Sequence, residues 1–147
     1  NMTIFKSINT LTLLLFTTSF GFSQEVEKVL VKSFNLQGSQ AVVIEMDAPT
    51  EVKTWKNDLL RVQMTITLSN GSESMLKSLI EVGRYNLKSE VIDGQFKVFA
   101  PALAKEVKIG GKTLDERVSI VVYGPESVQV KLTGAAAAQA AASASSM

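Results

Sequence analysis

Apolar and polar residues alternate along several segments of the chain. The clearest segment is Leu59–Leu68, in which the apolar residues share one parity and the polar residues share the other: Leu60, Val62, Met64, Ile66 and Leu68 against Arg61, Gln63, Thr65 and Thr67. A period of two places the two sets on opposite faces of a β-strand, one buried and one wet. The same period predicts strands at Gln40–Met46, 118–122 and 128–132, with shorter candidates at Glu27–Phe34, Glu51–Trp55, Tyr85–Val91, Gln95–Ala100 and Glu106–Ile109.

Turn signals separate these segments. Asp93-Gly94 predicts a tight hairpin, because both residue types accept the left-handed backbone that such a turn needs. Gly110-Gly111 predicts a second turn, and prolines break the chain near 47–49 and 124–125. Turn signals that recur after about eight to twelve residues are typical of an all-β domain.

One segment, Asn70–Gly83, departs from the strand pattern. It places Met75, Leu76, Leu79 and Ile80 on one helical stripe, with Asn70 or Ser72 as the N-cap and Gly83 as the terminator. We therefore expect one short amphipathic helix over the sheet. The predicted fold class is mainly β, two packed antiparallel sheets in a sandwich-like arrangement with one short helix. The alternative is a short β-solenoid-like roll.

The two ends of the chain differ from its middle. Residues 1–23 combine Lys6, the apolar run Leu11–Phe16 and the small residues Gly21 and Ser23, which is the order of a secretory signal peptide. A transmembrane anchor is the alternative, but a span needs about 20 largely apolar residues and polar ones interrupt this run. Residues 25–133 form the predicted β domain, and residues 134–147 form a low-complexity Ala/Ser tail.

Charge and residue usage exclude several functions. The chain holds 15 Lys+Arg and 14 Asp+Glu, so removal of Lys6 with the signal leaves 14 − 14 = 0. A neutral domain without a basic block gives no support for nucleic-acid binding, and we expect no membrane span after signal removal. With His 0 and Cys 0, the chain itself supplies no His- or Cys-based nucleophile system and no His or Cys metal ligand.

The remaining candidates for chemistry are weak ones. Glu45 and Asp47 share a predicted strand face, but a glycosidase needs two acids from separated segments. Asp115-Glu116 lacks the spacing of a calcium loop, and adjacent acids in a turn are expected to be solvated. Ser74 and Lys77 match S-x-x-K without the accompanying motifs of serine acylases. We therefore predict no catalytic, cofactor-binding or metal-binding residue, and no cofactor.

The aromatic residues define the candidate contact surface. Trp55 and Phe99 have the opposite parity from the clearest apolar residues of their strands, beside Lys53 and Lys97. If that sheet face is wet, Trp55, Phe99, Lys53 and Lys97 could form one surface. If the helix covers it, both aromatics are buried, and burial is the expected outcome because large aromatics bury well even at strand ends.

The order of these elements resembles short secreted proteins of Bacteroidota. It is also loosely similar to the head GIN and autotransporter-adhesin β domains. The shared order of elements consists of a strand with Phe34 followed by Gly38, the strand with Val62, the Asp93-Gly94 hairpin, and the closing segment from Pro125 to Val130. The resemblance covers about residues 28–132 and implies an envelope or surface β domain for adhesion or interaction, without catalytic residues.

Three functions follow as hypotheses. The first is an exported cell-envelope or surface module for interaction, adhesion or structure, not an enzyme, located in the periplasm, at the outer membrane or outside the cell. The second is a carboxylate-dependent hydrolase, which needs two acids in a cleft and a raised pKa on one. The third is a periplasmic chaperone-like protein with an exposed groove or open sheet edge. The sequence does not identify the partner.

Overall fold

Two four-stranded β-sheets and one helix make up the fold. The computed structural model describes residues 25–134, so the predicted signal segment and nearly all of the predicted tail lie outside the described residues. The elements are β1 Glu25–Asn35, β2 Ala41–Glu45, β3 Thr50–Trp55, β4 Leu59–Ser69, α1 Glu73–Glu81, β5 Lys88–Ile92, β6 Gln95–Phe99, β7 Lys108–Ile109, β8 Lys112–Thr113, β9 Glu116–Pro125 and β10 Gln129–Thr133. Sheet A has the order β1-β4-β9-β3, sheet B has the order β10-β2-β6-β5, and β7 and β8 form a small hairpin. The mainly β, sandwich-like prediction is confirmed.

The strand directions differ from the antiparallel arrangement that the sequence analysis expected. The pairs β1–β4, β4–β9 and β5–β6 are antiparallel, but β10–β2, β2–β6 and β3–β9 are parallel. The physical reason lies in the connections. The chain crosses from sheet B to sheet A between β2 and β3, and it returns from β9 to β10, so neighbours in a sheet are often distant in sequence.

The inner faces of the two sheets form one core. Strand β4 supplies much of this core through its alternating pattern, since its residues Leu60, Val62, Ile66 and Leu68 are fully buried. From sheet B, Phe96 meets Phe34 of sheet A with ring centroids 5.8 Å apart in an edge-to-face arrangement. Edge-to-face aromatic pairs contribute beyond the area that they bury. This contact fixes the two sheets face to face.

The helix begins and ends close to the predicted signals. Ser72 is the N-cap, and its hydroxyl accepts a hydrogen bond from the Met75 amide. Gly83 has φ +85°, the left-handed conformation that ends a helix. Leu76 is buried in the core, and α1 lies beside Val26 and Leu30 of β1. Among residues 25–134, no helix is long and apolar enough to cross a membrane.

Both predicted hairpin turns are present. Asp93 and Gly94 have φ of 50° and 76°, and Gly110 and Gly111 have φ of 60° and 80°. Two consecutive positive φ angles are the signature of the turn that suits a twisted hairpin. The Tyr85–Val91 strand is only partly correct, because β5 begins at Lys88 and the segment before it is a turn that buries Tyr85.

Candidate interaction surface

The four residues of the predicted surface do not lie together. Lys53 and Trp55 belong to β3 in sheet A, whereas Lys97 and Phe99 belong to β6 in sheet B. In each sheet they have the opposite parity from the core residues, so they lie on the two outer faces of the sandwich. Trp55 and Phe99 are half-buried there. The expectation that both are buried in the core is therefore wrong, because neither outer face is covered by the helix.

The outer face of sheet A carries an ordered row of side chains. The strand register places Arg61 of β4 opposite Tyr123 of β9, and Tyr123 opposite Lys53 of β3. The Arg61 guanidinium carbon lies 5.8 Å from the Tyr123 ring centroid, and the Lys53 ammonium lies 6.0 Å from it. Both distances are within reach of a cation–π interaction. Two cations therefore flank one aromatic ring.

Trp55 completes this group. Its ring centroid is 5.5 Å from that of Tyr123 at an interplanar angle of 40°. Its indole Nε1 donates a hydrogen bond of 2.9 Å to the Leu59 carbonyl, across the turn between β3 and β4. This bond holds the indole on the sheet face. We call Lys53, Trp55, Arg61 and Tyr123 the Trp55 patch.

Arg61 is not neutralised by a carboxylate of the described residues. Its Nε is buried without a hydrogen-bond partner, and its guanidinium has no carboxylate within 4 Å in the part of the chain that is described. Lys53 has only a distant partner, since its ammonium lies 4.0 Å from the Glu51 carboxylate and both side chains are largely exposed. Exposed pairs of this kind contribute little. The patch therefore places two cationic side chains beside its aromatic rings, with the Glu51 carboxylate on the same face.

The outer face of sheet B has a lysine that is paired with two carboxylates. Lys97 donates to the Glu45 carboxylate at 2.8 Å and lies 4.0 Å from that of Glu90. Its ammonium also lies 5.5 Å from the Phe99 ring centroid. The hydrogen bond to Glu45 raises the pKa of Lys97. By their register Lys88 and Lys131 lie on the same outer face, so three lysines face two glutamates there.

Sequence reasoning missed Arg61 and Tyr123 as members of a surface. Their parity was the available signal, because each alternates with fully buried neighbours and so had to face outward. No local pattern indicates that β4 and β9 are neighbours, and this pairing is what brings Arg61 and Tyr123 together.

The weaker candidates for chemistry are solvent-exposed: Ser74 and Lys77 are exposed on α1, and Asp47 is exposed beyond β2. Within residues 25–134, no group of three acidic residues could hold a metal ion.

A buried polar cluster lies away from this surface. The Arg84 guanidinium binds Glu116 with two parallel hydrogen bonds, Nε to Oε2 at 2.9 Å and Nη2 to Oε1 at 2.8 Å. Arg84 Nη1 donates to the carbonyls of Ala102 and Lys105, and the Tyr85 hydroxyl donates to Glu116. Sequence reasoning expected Asp115-Glu116 to be solvated. That is correct for exposed Asp115 and wrong for Glu116.

The cluster shifts the pKa values of its members. Burial alone would raise the Glu116 pKa, but hydrogen bonds from Arg84 and Tyr85 and the Arg84 charge outweigh it, so the pKa is lowered. Burial, and then the hydrogen bond to Glu116, raise the pKa of Tyr85 well above its usual range. The hydrogen bond with Glu116 also raises the pKa of Arg84. This arrangement locks Glu116 as a carboxylate.

These shifts predict how stability depends on pH. The contribution of Glu116 is complete above its unfolded pKa of about 4.3 and is lost as the pH falls through the lowered folded pKa. The contribution of Tyr85 to stability is complete below about pH 10 and is lost as the pH rises through the raised pKa of Tyr85. Urea midpoints measured across pH should therefore fall less steeply above pH 10 in Tyr85→Phe than in the parent. Tyr123→Phe is the control for loss of one phenol, and an unchanged slope in Tyr85→Phe would contradict the assignment.

A groove between β1 and α1 is a second depression on the surface of the described residues. Val26, Leu30, Leu76 and Ile80 contribute its apolar lining. Charges of both signs surround it, since Lys28 and Lys77 lie near Glu27, Glu73 and Glu81. The groove therefore has no charge preference that would select one kind of partner.

Comparisons with known proteins give one distant similarity. No protein-family model matches the chain, and no curated protein is similar to it in sequence. The solved structure of a "putative cell adhesion protein" from Clostridium sporogenes superposes with a TM-score of 0.40 at 12% identity, covering 73% of this chain and 46% of the other. The chain thus spans about half of that protein. A similarity this weak carries no argument, and the resemblance to head GIN domains stays an expectation.

Proposed function

We propose that this protein is an exported interaction module of the bacterial cell envelope, and that the Trp55 patch is its contact surface. The observation that supports this is the row of Arg61, Tyr123 and Lys53 beside Trp55 on an outer sheet face. Trp, Tyr and Arg are the residue types that dominate binding energy in protein interfaces, because they combine large contact area with hydrogen bonding. The face continues into exposed apolar residues, Val29 and Val31 of β1.

The sheet edges are less suited to binding than this face. Each of the four edge strands carries a lysine: Lys28 on β1, Lys53 on β3, Lys88 on β5 and Lys131 on β10. Lysines on edge strands oppose the addition of another strand, because its approach would desolvate the charge. A chaperone-like function through an open edge therefore has little physical support, and recognition by a face is favoured.

Catalysis by a carboxylate is not favoured either. The buried carboxylate of Glu116 has a lowered pKa and is held by Arg84. A general acid needs the opposite, a carboxyl whose pKa is raised so that it stays protonated near neutral pH. A binding function without catalysis remains our proposal.

Envelope binding tests the surface. Purified full-length protein should sediment with envelope fragments of a Bacteroidota bacterium. Trp55→Ala should weaken that binding at least about ten-fold, because truncating a dominant contact aromatic costs about 2 kcal/mol or more. Phe99→Ala is the matched control, since Phe99 is a half-buried aromatic beside a lysine on the opposite outer face. Equal losses in the two variants would contradict the assignment of the surface to sheet A.

Export is tested separately. Expression of the chain with a C-terminal tag in a Gram-negative host should yield a periplasmic or surface product. Its N-terminus should be Gln24 by mass spectrometry, because cleavage is expected after Ser23. A product that keeps residues 1–23 in the cytoplasmic fraction would refute export without bearing on the contact surface.

A further inference from the structure

We propose that Asn70-Gly71 is a site of spontaneous deamidation, and that the isoaspartate formed there releases the first turn of α1. The pair connects the end of β4 to the N-cap of the helix, Ser72. No other asparagine in the sequence precedes a glycine. The proposal goes beyond the proposed function, because it does not depend on the Trp55 patch or on any partner.

The backbone accounts for both residue types. Asn70 has φ 57°, in the left-handed region that asparagine enters more readily than most residues with a side chain. A Cβ atom on Gly71 would lie 2.8 Å from the Leu68 Cβ, which is too close for a real contact. The turn therefore favours an asparagine followed by a glycine. This order is reactive, because a glycine has no side chain that hinders the approach of its backbone nitrogen.

The pair is also accessible and unrestrained. Asn70 is exposed, and within residues 25–134 no hydrogen bond involves its side chain or the Gly71 amide. Asn35 and Asn57 are exposed as well, but the side-chain oxygen of each accepts a hydrogen bond from the backbone amide two residues ahead. Each of these two also precedes a residue with a side chain. Asn70 therefore differs from both in restraint and in its neighbour.

The reaction consumes only water. The Gly71 nitrogen loses its proton and bonds to the side-chain carbonyl carbon of Asn70, and the side-chain nitrogen leaves as ammonia. Water then breaks one of the two C–N bonds of the cyclic imide. Attack at the side-chain carbonyl gives aspartate, and attack at the main-chain carbonyl gives isoaspartate, whose backbone contains an additional methylene group. Ring closure is favoured because both groups belong to one chain and need no encounter.

Isoaspartate would displace the helix cap. Before the turn, the Ser69 amide donates to the Asp115 carbonyl at 3.0 Å, and β4 is paired with both β1 and β9. After it, the Ser72 hydroxyl accepts from the Met75 amide at 3.1 Å in an exposed hydrogen bond. An additional methylene between these anchors moves the weaker one, which is the cap. Loss of an N-cap destabilises the first helical turn, so the start of α1 should fray.

Peptide mapping by mass spectrometry tests the site. Full-length protein kept in mildly alkaline buffer should form aspartate and isoaspartate at Asn70 at least about ten-fold faster than at Asn35 or Asn57. The rate in the folded protein should lie within about ten-fold of that in a synthetic peptide of residues 68–74, because the turn does not restrain the pair. Asn70→Gln should react far more slowly, since its longer side chain closes a ring less readily, and circular dichroism confirms that this variant is folded.

Hydrogen exchange followed by NMR tests the effect on α1. In the isolated isoaspartate form, the Met75 and Leu76 amides, both bonded to Ser72, should exchange at least about ten-fold faster than in the fresh protein. Asn70→Asp is the matched control, because it adds the charge without the methylene and should leave both amides unchanged. Amides of β6 provide the internal reference.

Each measurement has an outcome against the proposal. A rate at Asn70 less than about ten-fold above that at Asn57, or more than about ten-fold below that of the peptide, would refute the site. Exchange at Met75 and Leu76 that is unchanged in the isoaspartate form, or equally fast in Asn70→Asp, would refute the release of the helix by the additional methylene.

Discussion

Replacement of Arg84 with methionine is expected to lower the free energy of unfolding by about 3–5 kcal/mol, because it leaves a buried carboxylate without its counter-ion. The side chains of Arg84 and Glu116 are only 9% and 10% exposed, and the Arg84 side chain donates four hydrogen bonds. Its removal also leaves the carbonyls of Ala102 and Lys105 without this donor. The effect is therefore larger than the loss of one hydrogen bond, which contributes about 1 kcal/mol.

Urea unfolding followed by tryptophan fluorescence measures this change, and the chain offers a matched control. Arg117 pairs with Glu25 at 2.9 Å, but their side chains are 73% and 54% exposed. Arg117→Met should therefore cost no more than about 1 kcal/mol. The double variant Arg84→Met with Glu116→Leu should recover part of the loss, since it removes both charges. A cost below 1 kcal/mol for Arg84→Met would show that the cluster does not stabilise the fold as described.

Replacement of Phe96 with alanine is expected to lower the free energy of unfolding by about 3–5 kcal/mol. Phe96 is 2% exposed and is among the largest fully buried side chains of the described structure. Its ring forms the edge-to-face contact with Phe34 that connects the inner faces of sheets A and B. Truncation removes this contact and leaves a cavity between two sheets whose backbones are fixed by their own hydrogen bonds, so the site closes only partly.

Phe99 in the same strand is the control for Phe96. It is three residues further along β6, on the outer face, and half-buried, so Phe99→Ala should cost about 1 kcal/mol or less. Phe34→Ala with Phe96→Ala should cost less than the sum of the single variants, because they share one contact. Thermal or urea unfolding of the four proteins measures these differences, and similar costs for Phe96 and Phe99 would contradict the placement of the core.

Local pattern was enough to predict most elements of the fold but not their arrangement. The parity of Leu60 and its partners in β4 predicts a strand with one buried face, and Asp93-Gly94 predicts a hairpin, because both signals reside in neighbouring residues. Whether β2 pairs with β6 or with β3, and in which direction, depends on contacts between distant segments. For this reason the parallel pairs were not predicted.

The candidate surface shows the same limit. Trp55 and Phe99 were assigned correctly to the parity opposite the core, but parity does not reveal which sheet a strand joins. The two aromatics therefore lie on opposite outer faces, and Trp55 has Tyr123 as its neighbour instead. Likewise, no local sequence pattern predicts that Asp115 is exposed and Glu116 is buried. Only the approach of Arg84, 32 residues away, distinguishes the buried carboxylate from the exposed one.

The parallel pairing of β10 with β2 has a consequence for folding kinetics. Strand β2 of sheet B lacks one of its two neighbours until β10, the last strand of the domain, is available, because Val130 and Leu132 of β10 pair with Val42 and Ile44 of β2. Sheet A has a similar dependence, since β3 pairs with β9. Domains dominated by such distant pairings typically fold in milliseconds to seconds, because loop closure precedes the gain from contacts. A ribosome-bound chain that lacks β10 would therefore stay incompletely folded.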